Sequence, residues 1–408
     1  MIIVMFVNIN ICIGINFTLQ RNPPDEIVNG AEQFYPYYFK LQIGSPNTSN
    51  YDIIFDTTTD YLWLTEKENL TSKTYNSSSK EIITTEFYNI SYPRNQIING
   101  SFVRDNIYNH SSNLKIDFML ANTHPFREVN AAGMLGISRK DQNNSNFSFF
   151  NILKQHYNST FKFNGFSLVH TGMNKGLLYI GERDTAVFSS HNNSTCKCVD
   201  NSEFGINMTE FWNCKLTKVI TNNEEILVME NDVAIFSTAE EMIYAPFDKG
   251  NTILNKYLSL LDKSGGKCSI VKNNNTQTIL YCKKFDYDFL PDVGMVLEGT
   301  NSNEEISLTA IGEDLFRNEN ETHLQFKIIA DSSISYWIFG EPLMKNYNLE
   351  FDLENKTITI VPYNIFAFYL IVIALSLGGF IVLVFLILLI KCTKSDETKY
   401  KELKEKLQ

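Results

Sequence analysis

Two short segments in the two halves of this chain repeat one pattern, and this repeat constrains the fold more than any other feature. The first segment, Ile54–Thr59, reads IFDTTT, and the second, Ile235–Glu240, reads IFSTAE. Each is an apolar run that ends in Phe and continues with a small polar residue and Thr, which is typical of a buried strand that ends in a turn. A chain of 408 residues also favours two lobes or domains. Of the two segments, the first carries a carboxylate, Asp56, where the second carries only the hydroxyl of Ser237.

Further motifs surround the two segments in a definite order. Tyr37–Gly44 alternates apolar and polar residues and then breaks at a Gly-Ser-Pro turn, as a strand and the turn after it do. Met134–Gly136 and Ile338–Gly340 each place two apolar residues before a Gly. In this order the motifs resemble those of the pepsin family of aspartic proteases, and the resemblance covers roughly residues 30 to 362.

This resemblance implies an all-β, bilobal pepsin-like aspartic protease fold. Each lobe of that family supplies one Asp-Thr-Gly turn, beside which an apolar-apolar-Gly segment packs. The expected N-terminal lobe covers residues 30–190 and the expected C-terminal lobe residues 191–362. A hairpin flap closes over substrate through a Tyr, which Tyr92 matches, but Pro93 and Arg94 replace the Gly-containing tip that normally follows.

Both ends of the chain predict the secretory pathway and attachment to a membrane. Residues 1–16 are mostly apolar and have the length of a signal peptide. Residues 366–390 carry no charge, are long enough to cross a bilayer as one transmembrane helix, and precede a lysine-containing cytoplasmic tail, 391–408. We therefore expect a single-pass type I membrane protein at the cell surface or in the endolysosomal system, with its main domain luminal or extracellular.

Glycosylation sequons and cysteines indicate the same compartment. The sequons occur only before the predicted membrane segment, which fits a glycoprotein whose main domain is in the lumen. An oxidising lumen favours disulfides. The resemblance implies that Cys268 and Cys282 form the bridge that the family has in its second lobe. Cys214 is expected to pair with Cys196 or Cys198, and the sequence leaves that choice open.

The two turns depart from the family pattern at the positions that carry its chemistry. Pepsin-like proteases use two carboxyl groups that share a proton, one accepting a proton from the attacking water while the other donates to the substrate carbonyl. Here Asp56 is present, but Ser237 stands at the position of the second Asp, and a hydroxyl can take neither role. The Gly of each turn is also replaced, by Thr58 and Ala239, whose Cβ atoms obstruct close approach. The resemblance therefore predicts impaired catalysis.

Other positions of the turns are retained. Thr57 and Thr238 match residues whose side chains bond across the lobe interface in the family, and Thr59 matches the hydroxyl beside the catalytic Asp. Glu240 lies in the second turn, where its carboxylate could reach the place of the missing Asp or act as a turn residue or salt-bridge partner. Two hypotheses follow: a pseudoprotease whose cleft binds an extended polypeptide, and an active, atypical aspartic endopeptidase that carries out proteolysis with Asp56 and Glu240.

Other classes of function find no support in the sequence. The formal net charge of −11 and the lack of a basic patch argue against nucleic acid as a partner. The histidines show no His-Glu-X-X-His spacing, and the Cys-X-Cys pair lacks a second pair of ligands, so we expect no metal site. We also expect no cofactor. The predicted partner is a polypeptide substrate or ligand in the cleft, and the oligomeric state stays open.

Overall fold

The computed structural model describes residues 15–20, 27–28, 31–32, 37–44, 48–65, 75, 80–84, 86–109, 112–123, 131–139, 147–158, 161–172, 175–189, 193–200, 207–222, 224–263, 265–273, 275–284, 290–301 and 304–363. The described residues as far as Pro362 form one compact unit. Most of the predicted signal peptide and all of the predicted transmembrane helix and tail lie outside the described residues, so these assignments and the two lobe boundaries stay predictions. Within the ranges given above, no helix combines the length and the apolar character that crossing a bilayer requires.

The described residues form mostly β-structure with few helices, and this confirms the predicted fold class at the level of two large sheets. The strands are β1 Ile15–Gln20, β2 Ile27–Val28, β3 Ala31–Glu32, β4 Tyr38–Ile43, β5 Ser49–Asp56, β6 Leu62–Thr65, β7 Glu81–Ile82, β8 Tyr88–Tyr92, β9 Gln96–Asn109, β10 Ser112–Thr123, β11 Gly133–Gly136, β12 Gly165–Gly172, β13 Lys175–Ile180, β14 Ser194–Lys197, β15 Asn213–Thr221, β16 Glu224–Phe236, β17 Ile243–Pro246, β18 Cys268–Lys272, β19 Gln277–Lys283, β20 Val293–Glu298, β21 Glu305–Ala310, β22 Phe316–Asn318, β23 His323–Phe326, β24 Ile328–Asp331, β25 Trp337–Phe339, β26 Tyr347–Asp352 and β27 Thr357–Pro362. The helices are α1 Phe149–His156, α2 Thr185–Phe188, α3 Phe247–Lys263 and α4 Glu341–Met344, with 3₁₀ turns at Pro93–Asn95, Met208–Glu210 and Gly312–Leu315.

Two large sheets contain all of these strands except β2 and β3, which pair with each other in a separate two-stranded sheet. The first has 14 strands in the order β14-β27-β26-β12-β13-β1-β4-β5-β11-β6-β10-β9-β7, with β8 paired to β9. The second has 11 strands in the order β21-β20-β15-β16-β25-β17-β24-β19-β23-β22, with β18 paired to β19. The first sheet also takes in strands from the C-terminal end of the unit, because β26 pairs with β12 and β27 with β14. Backbone hydrogen bonds therefore join the two halves of the chain.

The strand patterns explain which strands lie at the centre of the first sheet. In β4 the buried residues Phe39, Leu41 and Ile43 alternate with exposed residues, as expected of a strand with one covered face. The last four residues of β5, from Ile53 to Asp56, are all buried because β5 lies between β4 and β11 with both of its faces covered. Asp56 therefore ends a strand of the interior.

Helix α3 covers part of the second sheet with one apolar face. Its buried residues Ile253, Leu254, Tyr257 and Leu261 recur at helical spacing, so they lie on one side of the helix. The hydroxyl of Tyr257 donates a hydrogen bond to the carbonyl of Pro291 at 2.7 Å, which satisfies the polar end of a buried ring.

Two disulfides are present. Cys268 and Cys282 face each other across β18 and β19 and are bonded, as the resemblance implies. Of the two partners left open for Cys214, the bonded one is Cys196, which ties β14 to β15. Cys198 is a buried thiol, and burial raises its pKa.

Candidate active site

Asp56 ends β5 with its side chain completely buried. Oδ2 accepts a hydrogen bond from the hydroxyl of Thr58, and Oδ1 accepts one from the hydroxyl of Ser237 at 3.4 Å. The backbone N–H groups of Thr57 and Thr58 also donate to this carboxylate. The resemblance implies that Thr59 supplies the hydroxyl beside Asp56, but in the structure Thr58 supplies it. Both oxygens of the single carboxylate therefore already accept hydroxyl hydrogen bonds from the protein.

The two turns meet through a reciprocal pair of hydrogen bonds. The hydroxyl of Thr57 donates to the carbonyl of Phe236 at 2.6 Å, and the hydroxyl of Thr238 donates to the carbonyl of Phe55 at 2.8 Å. The N–H of Thr238 also donates to Thr57 Oγ1 at 3.3 Å. All of these groups are buried, so each bond satisfies polar atoms that water cannot reach. These contacts hold Asp56 and Ser237 opposite each other.

A parallel neighbouring strand supports each turn. Strand β11 runs parallel to β5 and pairs Gly136 with Asp56, while β25 runs parallel to β16. A Cβ on Gly136 would lie 2.0 Å from Thr59 Oγ1, and one on Gly340 would lie 2.3 Å from the carbonyl oxygen of Met242. Only Gly fits at these two close approaches, which explains the Gly that ends each apolar-apolar-Gly segment.

Burial raises the pKa of Asp56 to about 6 from the ordinary value of 3.8. Loss of hydration is the largest cause, since it disfavours the ionised form. Hydrogen bonds from Thr58 and Thr57 oppose the rise, whereas the negative charge of Glu240 adds to it. The group thus titrates within the mildly acidic range.

This pKa predicts how stability depends on pH. Between pH 4 and pH 6 the folded chain holds a proton on Asp56 that the unfolded chain releases, so Asp56 lowers the stability of the fold as pH rises. Asp56→Asn has no such titration. Its free energy of unfolding relative to wild type should therefore rise by up to about 3 kcal/mol between pH 3.5 and pH 7. Thermal unfolding of both proteins across that range measures the difference, and a constant difference would contradict the shifted pKa.

A hairpin that we call the flap, residues 88–100, covers the turns. It consists of β8, the 3₁₀ turn Pro93–Asn95 and the start of β9. Tyr92 is buried, and its hydroxyl accepts a hydrogen bond from Trp63 Nε1 at 2.8 Å and lies 3.3 Å from Thr59 Oγ1. The Tyr92 hydroxyl also donates to Met134 Sδ. The flap Tyr is thereby anchored to the turn that carries Asp56.

Arg94 at the tip of the flap reaches the other half of the chain. Its guanidinium lies 3.5 Å from Glu240 Oε2 and 3.8 Å from Asp331 Oδ2. Its Cζ lies 3.9 Å from the centre of the Tyr244 ring, a cation–π geometry. The sequence signals a changed flap tip only through the loss of Gly, and no local pattern reveals these distant partners.

Glu240 is directed toward Arg94 and not toward Asp56. Its carboxylate pairs with the guanidinium of Arg94. Burial raises its pKa, and the charge of Arg94 opposes the rise. Of the three roles that the sequence leaves open for Glu240, this conformation shows the salt-bridge partner, and a catalytic role for Glu240 stays a prediction. Among the described residues, no group of His, Cys, Asp and Glu is arranged to hold a metal ion.

A family model described as eukaryotic aspartyl protease matches residues 36–363, most of the chain. The chain belongs to this family. The recognition of a pepsin-family aspartic protease from the turns, the flap Tyr and the apolar-apolar-Gly segments is therefore confirmed. A search of curated proteins found no match to the chain. In this aspartyl protease family member, the site described above lies where the two halves of the family domain meet.

Proposed function

We propose that this aspartyl protease family member is catalytically impaired and that its cleft binds an extended polypeptide without cutting it efficiently. One observation carries the proposal: the hydroxyl of Ser237 occupies the position opposite Asp56 where the family chemistry requires a second carboxyl group. Membrane attachment as a type I protein of the secretory pathway is part of the proposal, supported by the uncharged segment 366–390 and the lysines after it.

Peptide hydrolysis needs a base for the attacking water and an acid for the substrate carbonyl at the same time. Asp56 can supply only one of these functions in a given protonation state. The Ser237 hydroxyl can supply neither, because it keeps its proton at any working pH. Loss of one acid or base function typically costs about 10²- to 10⁴-fold in rate. The hydrogen bond from Thr58 to Asp56 adds a further obstacle, because it occupies an oxygen that could otherwise orient water.

Polypeptide binding is supported by the parts of the domain that do not carry out chemistry. Three of these parts are intact: the junction between Thr57 and Thr238, the glycines beside the turns, and the anchored flap Tyr92. Ile90, Tyr92 and Ile98 of the flap are buried in one apolar cluster, so the hairpin is held in place over the junction of the two halves. The flap therefore favours a cleft that still closes over a ligand.

An active, atypical endopeptidase is the second candidate, and one observation favours it. The charge of Glu240 raises the pKa of Asp56, so the two carboxyl groups interact electrostatically. If Glu240 left Arg94 and approached Asp56, the pair could divide the acid and base roles between them.

Proteolysis assays separate the two candidates. We expect the purified full-length protein in detergent to show no pepstatin-sensitive cleavage of a denatured protein between pH 3 and pH 7, and Asp56→Ala to behave like wild type. Cleavage that disappears in Asp56→Ala would support the second candidate. Loss of that cleavage in Glu240→Gln, but not in Glu241→Gln, would assign the second carboxyl to Glu240, since Glu241 pairs instead with Arg317 at 2.6 Å.

Binding is measured separately. Fluorescence anisotropy with a labelled, reduced and carboxymethylated polypeptide should give saturable binding to the full-length protein. Absence of saturable binding at any pH between 4 and 7 would contradict the proposed binding function, whatever the result of the proteolysis assay.

A further inference from the structure

A cluster of two carboxylates and two Tyr side chains contacts the tip of the flap. Glu240 follows the second turn, Tyr244 lies in β17, Asp331 ends β24, and Tyr336 precedes β25. Strands β17 and β24 are parallel and adjacent, which brings Tyr244 and Asp331 close together. Asp331 is almost completely buried, and Glu240 is 15 % exposed.

A guanidinium already occupies this cluster. Arg94 lies with Cζ 3.9 Å from the centre of the Tyr244 ring, between Glu240 Oε2 at 3.5 Å and Asp331 Oδ2 at 3.8 Å. The backbone N–H of Arg94 also donates to the Tyr336 hydroxyl at 3.4 Å. A flat cation stacked on a ring and flanked by carboxylates is the arrangement that suits guanidinium better than ammonium.

The guanidinium of Arg94 contacts the two carboxylates of the cluster only at long distances. Both ion-pair distances of Arg94 exceed the roughly 2.7–2.9 Å of a direct charged hydrogen bond. Arg94 also has φ +65°, in the left-handed region that residues with a Cβ rarely adopt. Two carboxylates face one cation, so the cluster keeps an excess of negative charge. A guanidinium that approached without the strain of the flap backbone could therefore bind more closely.

The cluster is also held together without Arg94. Asp331 accepts hydrogen bonds from Gln277 Nε2 at 2.9 Å, from the N–H of Ser333 at 2.8 Å and from Ser333 Oγ at 2.6 Å. The backbone of Glu240 is held by the N–H of Glu341, which donates to the Glu240 carbonyl at 2.9 Å. These bonds do not involve the flap, so Asp331 and the backbone of Glu240 keep their positions when the flap lifts.

We propose that Glu240, Asp331, Tyr244 and Tyr336 form a guanidinium-binding subsite of the cleft, which Arg94 of the flap occupies in place of an arginine side chain of a polypeptide ligand. The proposal rests on the proposed binding function and specifies its ligand class as arginine-containing polypeptides. Closing the flap and binding such a side chain compete for one site. Arg94 thus keeps the cleft closed until a ligand with arginine displaces it.

The first experiment tests the subsite with a small probe, so that it does not depend on polypeptide binding. Isothermal titration of N-acetyl-arginine amide into full-length Arg94→Ala protein should show binding at least about tenfold tighter than to wild type. N-acetyl-citrulline amide, which has nearly the same shape but no charge, should not bind measurably. Adding Glu240→Gln to Arg94→Ala should remove the binding, whereas adding Glu241→Gln should leave it unchanged. Equal affinity for the charged and neutral probes would overturn the subsite.

The second experiment tests the competition with the flap. An extended peptide with one central arginine should bind wild type at least about tenfold more tightly than the same peptide with citrulline, and Glu240→Gln should abolish that preference. The arginine peptide should also speed hydrogen–deuterium exchange of the backbone amides of the flap turn, because it displaces Arg94. Arg94→Gln, which keeps a polar side chain but is shorter and carries no charge, replaces Arg94→Ala if that variant does not fold.

The outcomes separate this inference from the proposed function. Peptides that bind without preference for arginine would overturn the subsite and leave polypeptide binding intact. Arginine amide that binds Arg94→Ala while no peptide binds any variant would support the subsite and contradict the polypeptide function.

Discussion

The variant Ser237→Asp, Thr58→Gly, Ala239→Gly should hydrolyse a denatured protein at acidic pH at a rate at least about 10²-fold above the background rate that wild type and Asp56→Ala share. Ser237 Oγ lies 3.4 Å from Asp56 Oδ1, so Asp at this position brings a second carboxyl within hydrogen-bonding range of the first. Two carboxyl groups so close cannot both ionise, and the shared proton supplies the missing acid while the other group acts as base.

The two Gly substitutions serve separate purposes in this variant. Thr58→Gly removes the hydroxyl that occupies Asp56 Oδ2, and Ala239→Gly clears a Cβ that packs against the apolar cluster beneath the flap. We expect Ser237→Asp alone to gain less activity than the triple variant. Thr58→Gly with Ala239→Gly, but with Ser237 retained, should gain none, because the second carboxyl is still missing.

Controls link the gain to the pair of carboxyl groups. Asp56→Ala in the triple variant should abolish the new activity, and Ser237→Asn in place of Ser237→Asp should not produce it. A folded triple variant without activity would contradict the view that the missing carboxyl and the two turn substitutions alone limit catalysis. Adding Arg94→Ala would then test whether the closed flap is a further obstacle.

Trp212→Ala should lower the free energy of unfolding by about 3–5 kcal/mol. Trp212 is completely buried and packs against Phe166 of β12 and Phe351 of β26. Its Nε1 donates a hydrogen bond to the carbonyl of Ile137 at 2.9 Å, one residue after the Gly that supports the first turn. Removing the indole leaves a cavity where the two halves meet and a buried carbonyl without this donor.

Two matched substitutions test this interpretation by thermal unfolding. Trp212→Phe keeps most of the ring and loses only the donor, so it should cost less than Trp212→Ala. Phe87→Ala removes an aromatic ring that is 63 % exposed, and it should change the stability by no more than about 0.5 kcal/mol. Similar losses for Trp212→Ala and Phe87→Ala would show that Trp212 does not join the halves.

Much of the fold and of the site follows from short local patterns. The apolar runs that end at Asp56 and Ser237 predict the strands β5 and β16 and their turns, and both are present. The resemblance to the family, and not a local pattern, assigns Tyr92 to the flap, and Tyr92 ends β8 of the hairpin. The partner of Cys214 could not be predicted, since Cys196 and Cys198 lie two positions apart and only the register of β14 decides between them.

The sequence alone predicts that one carboxyl of the family pair is missing, because the resemblance places Ser237 at that position and a hydroxyl cannot act as a carboxyl group in any conformation. The sequence also predicts which residues form the turns, because the apolar runs before the turns are local patterns of the sequence. Only the tertiary structure decides that Thr58 rather than Thr59 binds Asp56, and that Glu240 pairs with Arg94 from a flap 146 positions away in the chain. A charged or hydroxyl side chain has many possible partners, and the packing of the sheets selects among them.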